Sequence, residues 1–380
     1  MKVANIIEEG RLGGPQIRIT EVARRLKENG IETTVVYPQY QSDLFKQKLD
    51  AYGIRNIRLP LHRLTKDKKH LFAYFRFFFY EIIYLYLFFK RERFDIIHCS
   101  GGSWQFKGII AGRLAGSKTL WHLNDTGMPV FFRWIFRLIA PKFADGLIVA
   151  GKRVEEYYVE QLGIQKIPVF EIQAPVNTDY FDPSKRDCDK SISKADGLKI
   201  ITVANINPTK GLDYFMHMAA SLNMRYKGLK FFIIGPAHDT QKNYLKTLSK
   251  LRDKLKLDNL QFYGACRDVP SVLNAADIFV FSSISEASPM SVWEAMSMKK
   301  AIVSTDVGDV GCFLKNEEVG FVVQIKDAEA LAHKVGILIE NPDLRERFGE
   351  KAREAACKYL DVAVTARKHM EAYRTVLSRG

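Results

Sequence analysis

The chain has 380 residues, 47% hydrophobic and 26% charged, a balance that describes an ordinary folded protein and excludes a disordered one. That length suits two domains better than one core. The formal charge of +14 admits nucleic acid, anionic lipid or phosphorylated ligands as partners; no nucleic-acid motif is present and the basic residues are spread along the chain, so nucleic acid is not expected.

In chain order, Val3 to Glu8 reads as a strand, followed by the loop Gly10-Arg11-Leu12-Gly13-Gly14-Pro15. Gln16 to Asn29 is an amphipathic helix closed by Gly30. The loop glycines let backbone amides approach a ligand, although the spacing is not that of a dinucleotide fingerprint. Thr33 to Tyr37, Asp95 to Cys99, Thr119 to Leu123 and Gly146 to Ala150 are further apolar strands, with room for helices between most of them. A parallel sheet covered on both faces follows. The opening residues lack the long apolar core of a signal peptide, because Glu8 and Glu9 interrupt it. The five cysteines (Cys99, Cys188, Cys266, Cys312 and Cys357) are scattered, which argues against a disulfide framework or a zinc site and for a reducing compartment. The expected location is cytoplasmic.

Leu71 to Lys90 is apolar on nearly all sides, with basic residues between Lys66 and Lys69 before it and Arg91 and Arg93 after. As a helix it is about 30 Å long, enough to cross a bilayer. A crossing would separate strands of one sheet and bury Arg76 and Glu81 in lipid. The expectation is therefore a helix packed on the first domain whose outer face docks on anionic lipid, joined by Pro129 to Ala140.

Asp179 to Gly197 is rich in Asp, Ser, Lys and Pro and reads as a linker; Asp187-Cys188-Asp189 inside it resembles a metal motif by coincidence. Domains of 1–178 and 198–358 are expected on either side, with a helix over 359–380 returning to the first. Strands resume at Leu198 to Ala204, Lys230 to Gly235, Gln261 to Gly264, Asp277 to Phe281, Ala301 to Ser304 and Gly320 to Gln324. Helices follow near Asp327 to Glu340, Asp343 to Tyr359 and Val362 to Leu377.

The informative unit is Ile278 to Asp306, a strand, loop, helix and strand. Ser288-Pro289 reads as an N-cap followed by proline at the first helical position. Glu286 precedes this helix and Glu294 lies inside it, so a carboxylate stands on each side of a helix N-terminus that favours an anion. A nucleotide sugar, with a diphosphate between two hydroxyl-bearing ends, matches that pattern, and ligands of open α/β sheets bind beyond the carboxyl ends of strands.

Ser285-Glu286-Ala-Ser-Pro-Met-Ser-Val-Trp-Glu294-Ala-Met resembles the Glu-x7-Glu motif of the family-4 retaining glycosyltransferases. Ala204-Asn205-Ile-Asn-Pro-Thr-Lys210-Gly211, the loops at Gly235 and Gly264, Val307-Gly308, Pro175 to Phe181 and Gly13-Gly14 resemble further parts of that family in the same order. The resemblance implies an α/β protein of two Rossmann-like domains facing a central cleft, the GT-B fold. It implies a nucleotide-sugar donor, transfer with retention, no cofactor and no bound metal. Glu286 would hold sugar hydroxyls, Glu294 the ribose, and Lys210 the departing diphosphate; His122 matches a position facing the sugar. Gly13, Gly14, Asn205, Gly235, Gly264, Arg267, Ser288, Met290 and Ser291 would complete the donor site. Asn205 stands where the family usually has Arg, so Arg267 or Arg11 would supply the missing charge, and Asp309 replaces a second glycine. The expected acceptor is a lipid-linked or other glycan precursor, used on the inner face of a membrane. Competing readings are another GT-B enzyme, such as an epimerase or phosphorylase, and a non-catalytic sugar-binding protein.

Overall fold

The computed structural model describes residues 1–64, 68–164, 166–315 and 317–379, with only the backbone of residues 68–70 and 239. The basic stretch expected between Lys66 and Lys69 thus lies outside the described side chains. The chain forms two compact units, Met1–Pro175 with Val362–Gly380, and Val176–Asp361.

The first unit holds the strands β1 (Lys2–Ile6), β2 (Glu32–Pro38), β3 (Asn56–Leu59), β4 (Ile96–Cys99), β5 (Lys118–Leu123), β6 (Gly146–Val149) and β7 (Val169–Glu171). Its helices are α1 (Gly14–Glu28), α2 (Asp43–Ala51), α3 (Lys68–Glu92), α4 (Phe106–Leu114), α5 (Val130–Phe143) and α6 (Lys152–Glu155). All strands are parallel, in the order β3-β2-β1-β4-β5-β6-β7. Side chains alternate across this sheet. Ile97, Cys99, Thr119 and Trp121 face α4 and α5, where Gly108 and Gly112 leave no room for a Cβ. Val3, Ile96, Leu120 and Ile148 face the other way, against α1 and the C-terminal helix.

The second unit holds β8 (Leu198–Val203), β9 (Leu229–Ile234), β10 (Leu260–Gly264), β11 (Ile278–Phe281), β12 (Ala301–Thr305) and β13 (Phe321–Val323), again all parallel, in the order β10-β9-β8-β11-β12-β13. Its helices are α7 (Lys190–Ser193), α8 (Leu212–Arg225), α9 (Lys242–Lys254), α10 (Val269–Asn274), α11 (Met290–Ser297), α12 (Val310–Leu314), α13 (Ala328–Glu340) and α14 (Pro342–Ala355). The last helix, α15 (Val362–Ser378), belongs to the first unit and packs on α1.

The stretch read as a linker is folded into the second unit instead. Ile192 is fully buried, and Phe181 and Ala195 pack on the same core. Arg353 fastens it by donating to the carbonyls of Thr178 (3.0 Å), Phe181 (2.6 Å) and Ser297 (2.8 Å). Asp189 is occupied as the N-cap of α7, accepting from the amides of Ser191 and Ile192, which explains the metal-like triplet structurally.

The apolar helix α3 lies on α4. It is long and apolar enough to cross a membrane by length and composition, with 28% of that stretch buried. Leu85 and Phe89 point inward, as does Glu81, whose Oε2 accepts from Lys107 Nζ at 2.6 Å. Since β3 and β4 flank α3 and share one sheet, crossing a bilayer would tear that sheet apart.

Candidate active site

In an open parallel sheet, two neighbouring strands whose connections run in opposite directions leave a crevice at their carboxyl ends. In the second unit those strands are β8 and β11. The loop after β8 carries Asn205 to Gly211, and the loop after β11 carries Ser282 to Pro289. The two are sewn together. Ile284 N donates to Thr209 O at 2.9 Å, and Ser282 Oγ donates to Lys210 O at 3.2 Å. Gly211, at φ +57°, allows this approach, because a Cβ there would sit 2.1 Å from the Ser282 carbonyl oxygen.

The result is a pair of opposite charges at the crevice. Lys210 Nζ donates to Glu286 Oε1, and Ser283 Oγ lies 2.9 Å from the same carboxylate oxygen. Ser283 was not anticipated as part of the site; its signal was its place directly after a buried strand. The main chain of Gly308, at φ +53°, passes so close to Ala287 that a Cβ would fall 2.3 Å from its carbonyl oxygen. That contact supports the Glu286 loop from below.

Glu294 projects from α11, partly buried, and makes no side-chain hydrogen bond among the described residues. Burial pushes its carboxyl up to about 8. The N-cap of α11 differs from the expectation. Pro289 occupies it, and Ser288 Oγ instead accepts from the Trp293 indole at 3.1 Å. The amides of Met290 and Ser291 thereby open the helix without a side-chain cap, which leaves them for an anion. Asn205 is partly buried and its side chain has no hydrogen bond among the described residues. Gly235 and Gly264 adjoin each other on the same side of β8, with Gly235 N donating to Gly264 O at 2.8 Å. Arg267 is exposed.

The remaining expected residues lie in the first unit. Gly13 is the N-cap of α1 and Gly14 its first residue, with φ −157° at Gly13, a conformation open to any side chain. Arg11 is held by Glu9 at 2.9 Å. His122 is 1% exposed, on the face of β5 that meets α1 and α15. Its ring stacks on His98, 5.4 Å between centroids, and the Arg18 guanidinium bonds its ring nitrogens. Burial, with help from Arg18, holds its pKa well below the usual imidazole range. This is an enclosed, neutral histidine packed against α1 and α15, whereas the resemblance implied a position facing the sugar. With His98 and His369 it forms a three-histidine cluster, but the guanidinium beside it opposes a cation.

Residues 12–180 match the family model described as Glycosyltransferase Family 4, and residues 184–355 match the one described as Glycosyl transferases group 1. The chain is a family-4 glycosyltransferase. It is 26% identical over 268 residues to the UDP-Gal:alpha-D-GlcNAc-diphosphoundecaprenol alpha-1,3-galactosyltransferase of Escherichia coli, covering 66% of this chain and 67% of that protein. It is 24% identical, over 94% of each chain, to the N,N'-diacetylbacillosaminyl-diphospho-undecaprenol alpha-1,3-N-acetylgalactosaminyltransferase of Campylobacter jejuni. Among solved structures, a glycosyltransferase from Rickettsia africae superposes with TM-score 0.84 at 21% identity, covering 100% of this chain and 99% of that one. The Anabaena protein HepE in complex with UDP superposes with TM-score 0.83 at 18% identity, covering 99% of this chain and 100% of that one. The fold of this glycosyltransferase is thus GT-B, and its activity is nucleotide-sugar-dependent glycosyl transfer.

Proposed function

We propose that the protein transfers a sugar from a UDP-linked donor to a glycan precursor carried on a lipid diphosphate, with retention of anomeric configuration. The observation that carries the reading is the Lys210–Glu286 pair at the β8/β11 crevice, beside the uncapped N-terminus of α11. Lys210 meets the negative charge that develops on the departing diphosphate, the term that usually dominates such catalysis. Glu286 accepts hydrogen bonds from the donor sugar's hydroxyls, and Glu294 from the ribose. The acceptor hydroxyl attacks on the face the diphosphate leaves, and a phosphate oxygen takes its proton. No metal or other cofactor is needed for these steps. The alpha linkages and diphosphoundecaprenol acceptors in the names of the two relatives support this reading.

The acceptor is met at a cytoplasmic membrane surface. Phe72, Phe75, Phe79, Ile83 and Leu87 form an outward row on α3, each more than half exposed. Val130, Phe131 and Trp134, each more than half exposed, and Leu138, at 47%, form a second outward row on α5, which packs on the same side of the sheet. Arg76, Lys90, Arg91 and Arg137 are exposed among them. Insertion of such a face, with cations at the headgroups, favours anionic lipid.

The test is flotation with phosphatidylglycerol vesicles, alongside UDP release from UDP-sugars in the presence of polyprenyl-diphosphate saccharides. Binding at low salt with release at high salt supports the membrane part, and failure to float at low salt rejects it. Absence of saccharide-dependent UDP release across the donor panel rejects the lipid-linked acceptor.

A further inference from the structure

Ser283 follows β11 and is fully buried, out of reach of solvent. Its Oγ lies 2.9 Å from Thr209 O and 2.9 Å from Glu286 Oε1. A hydroxyl carries one proton, so it serves only one of these two acceptors in good geometry. Each acceptor already has another donor. Ile284 N donates to Thr209 O at 2.9 Å, and Lys210 Nζ donates to Glu286 Oε1.

The main chain at this point is held without the hydroxyl. Ser283 O accepts from Thr305 Oγ1 at 2.6 Å, which ties it to the end of β12. The loops after β8 and β11 stay joined through Ile284 N and through Ser282 Oγ, which donates to Lys210 O at 3.2 Å. Fastening the loops therefore does not account for the approach of Ser283 Oγ to the carboxylate.

The neighbouring lysine does. While Lys210 rests on Glu286, the Ser283 proton can stay on Thr209 O. The proposed reaction draws Lys210 to the diphosphate, and Oε1 then loses its donor in a site where Glu286 is only 17% exposed. With the hydroxyl unmoved, lone pairs on two oxygens would face each other at 2.9 Å. A turn about the Cβ–Oγ bond removes that repulsion, and Thr209 O keeps Ile284 N. We infer that Ser283 is a positioning residue for Glu286: its hydroxyl takes over Oε1 as Lys210 leaves, so that Oε2 is the oxygen left for the sugar hydroxyls. No proton changes owner in this exchange. The inference rests on the roles proposed for Lys210 and Glu286, and it names the group that lets that pair separate.

The test is a double-mutant cycle on the full-length protein, read by calorimetry with UDP as probe. Ser283→Ala weakens UDP about fivefold, the effect of one hydrogen bond, because freeing Lys210 now strands Oε1. In the Glu286→Gln background the same substitution leaves UDP affinity unchanged, since no carboxylate remains to be stranded. A hydroxyl that only fastened the loops would cost the same in both backgrounds. Equal losses, or no loss in Ser283→Ala alone, overturn the inference and leave the transferase reading intact. If Ser283→Ala fails to fold, Ser283→Cys, with its weak thiol donor, decides by the same cycle. Failure of both to fold assigns the hydroxyl to the fold and overturns the inference as well. A wild-type protein that binds no UDP removes the proposed donor, and this inference with it.

Discussion

Lys210 donates its ammonium proton to Glu286, so the cation expected to meet the diphosphate is already paired with the carboxylate expected to meet the sugar. Both side chains are mostly buried, at 23% and 17% exposed. A donor entering the crevice exchanges this internal pair for two separate contacts, one at each end of the ligand.

Replacing Glu286 by Gln should therefore split binding from turnover. UDP alone binds a few-fold more tightly, because Lys210 no longer has a competing anion, while transfer falls. Glu286→Ala and Glu294→Ala each cost transfer about 1–3 kcal/mol, the loss of a hydrogen bond to a buried ligand group. Calorimetry with UDP and initial rates of UDP release measure the two quantities, and unchanged melting temperatures establish that the fold survives. Parent-like rates in both alanine variants would remove the paired carboxylates from the mechanism.

Glu294 predicts a pH dependence. Its carboxyl sits at about 8 in the folded protein against an ordinary 4.5, so the folded state binds the extra proton. Its contribution to stability is thus fully present below the ordinary value and is lost as pH rises through about 8. Nucleotide binding runs the opposite way, since ribose hydroxyls donate to the ionised form. UDP affinity is expected to rise between pH 6 and pH 9, roughly, with the slope abolished in Glu294→Gln. A titration of UDP affinity against pH for both proteins checks this, and parallel curves would refute it.

Asn205 leaves an uncharged gap in the loop after β8, and its side-chain amide makes no hydrogen bond among the described residues. Asn205→Arg is expected to tighten UDP binding by restoring a cation that can grip phosphate in two places. Equal or weaker affinity would mean that this loop takes no part in holding the diphosphate.

Chelation is expected to leave turnover intact. Lys210 and the free amides at the start of α11 offset the diphosphate charge that Mg²⁺ offsets in metal-dependent transferases. The measurement is UDP release in EDTA. Full loss, restored by Mg²⁺ or Mn²⁺, would reverse the conclusion.

Much of this architecture can be read from the sequence because buried parallel strands are apolar along their whole length, as in Ile278–Phe281 and Gly146–Val149. The strands that escape notice are edge strands. Asn56–Leu59 and Val169–Glu171 are short, partly exposed and carry polar residues, so no apolar run marks them. The polar stretch from Asp179 to Gly197 misleads for a related reason. It folds on backbone carbonyls gripped by Arg353, 172 residues away from Phe181, and such a bond has no local signature. His122 was legible in principle: it shares the alternation of Leu120 in β5, which turns both toward the same covered face. The crevice residues Lys210 and Glu286 were found through motif resemblance, since their meeting depends on strand order rather than on spacing.

The first unit is not continuous in the chain, and this governs how it can be made. Its sheet face at Val3, Leu120 and Ile148 is completed by Ala366, Ala372, Tyr373 and Val376. During synthesis these arrive last, after the whole of Val176–Asp361. A nascent first unit therefore waits with an apolar flank uncovered, while the second unit can close as soon as it leaves the ribosome. The final helix acts as the latch of the earliest-made part, and shortening the C-terminus would unfold residues translated some 200 positions before it.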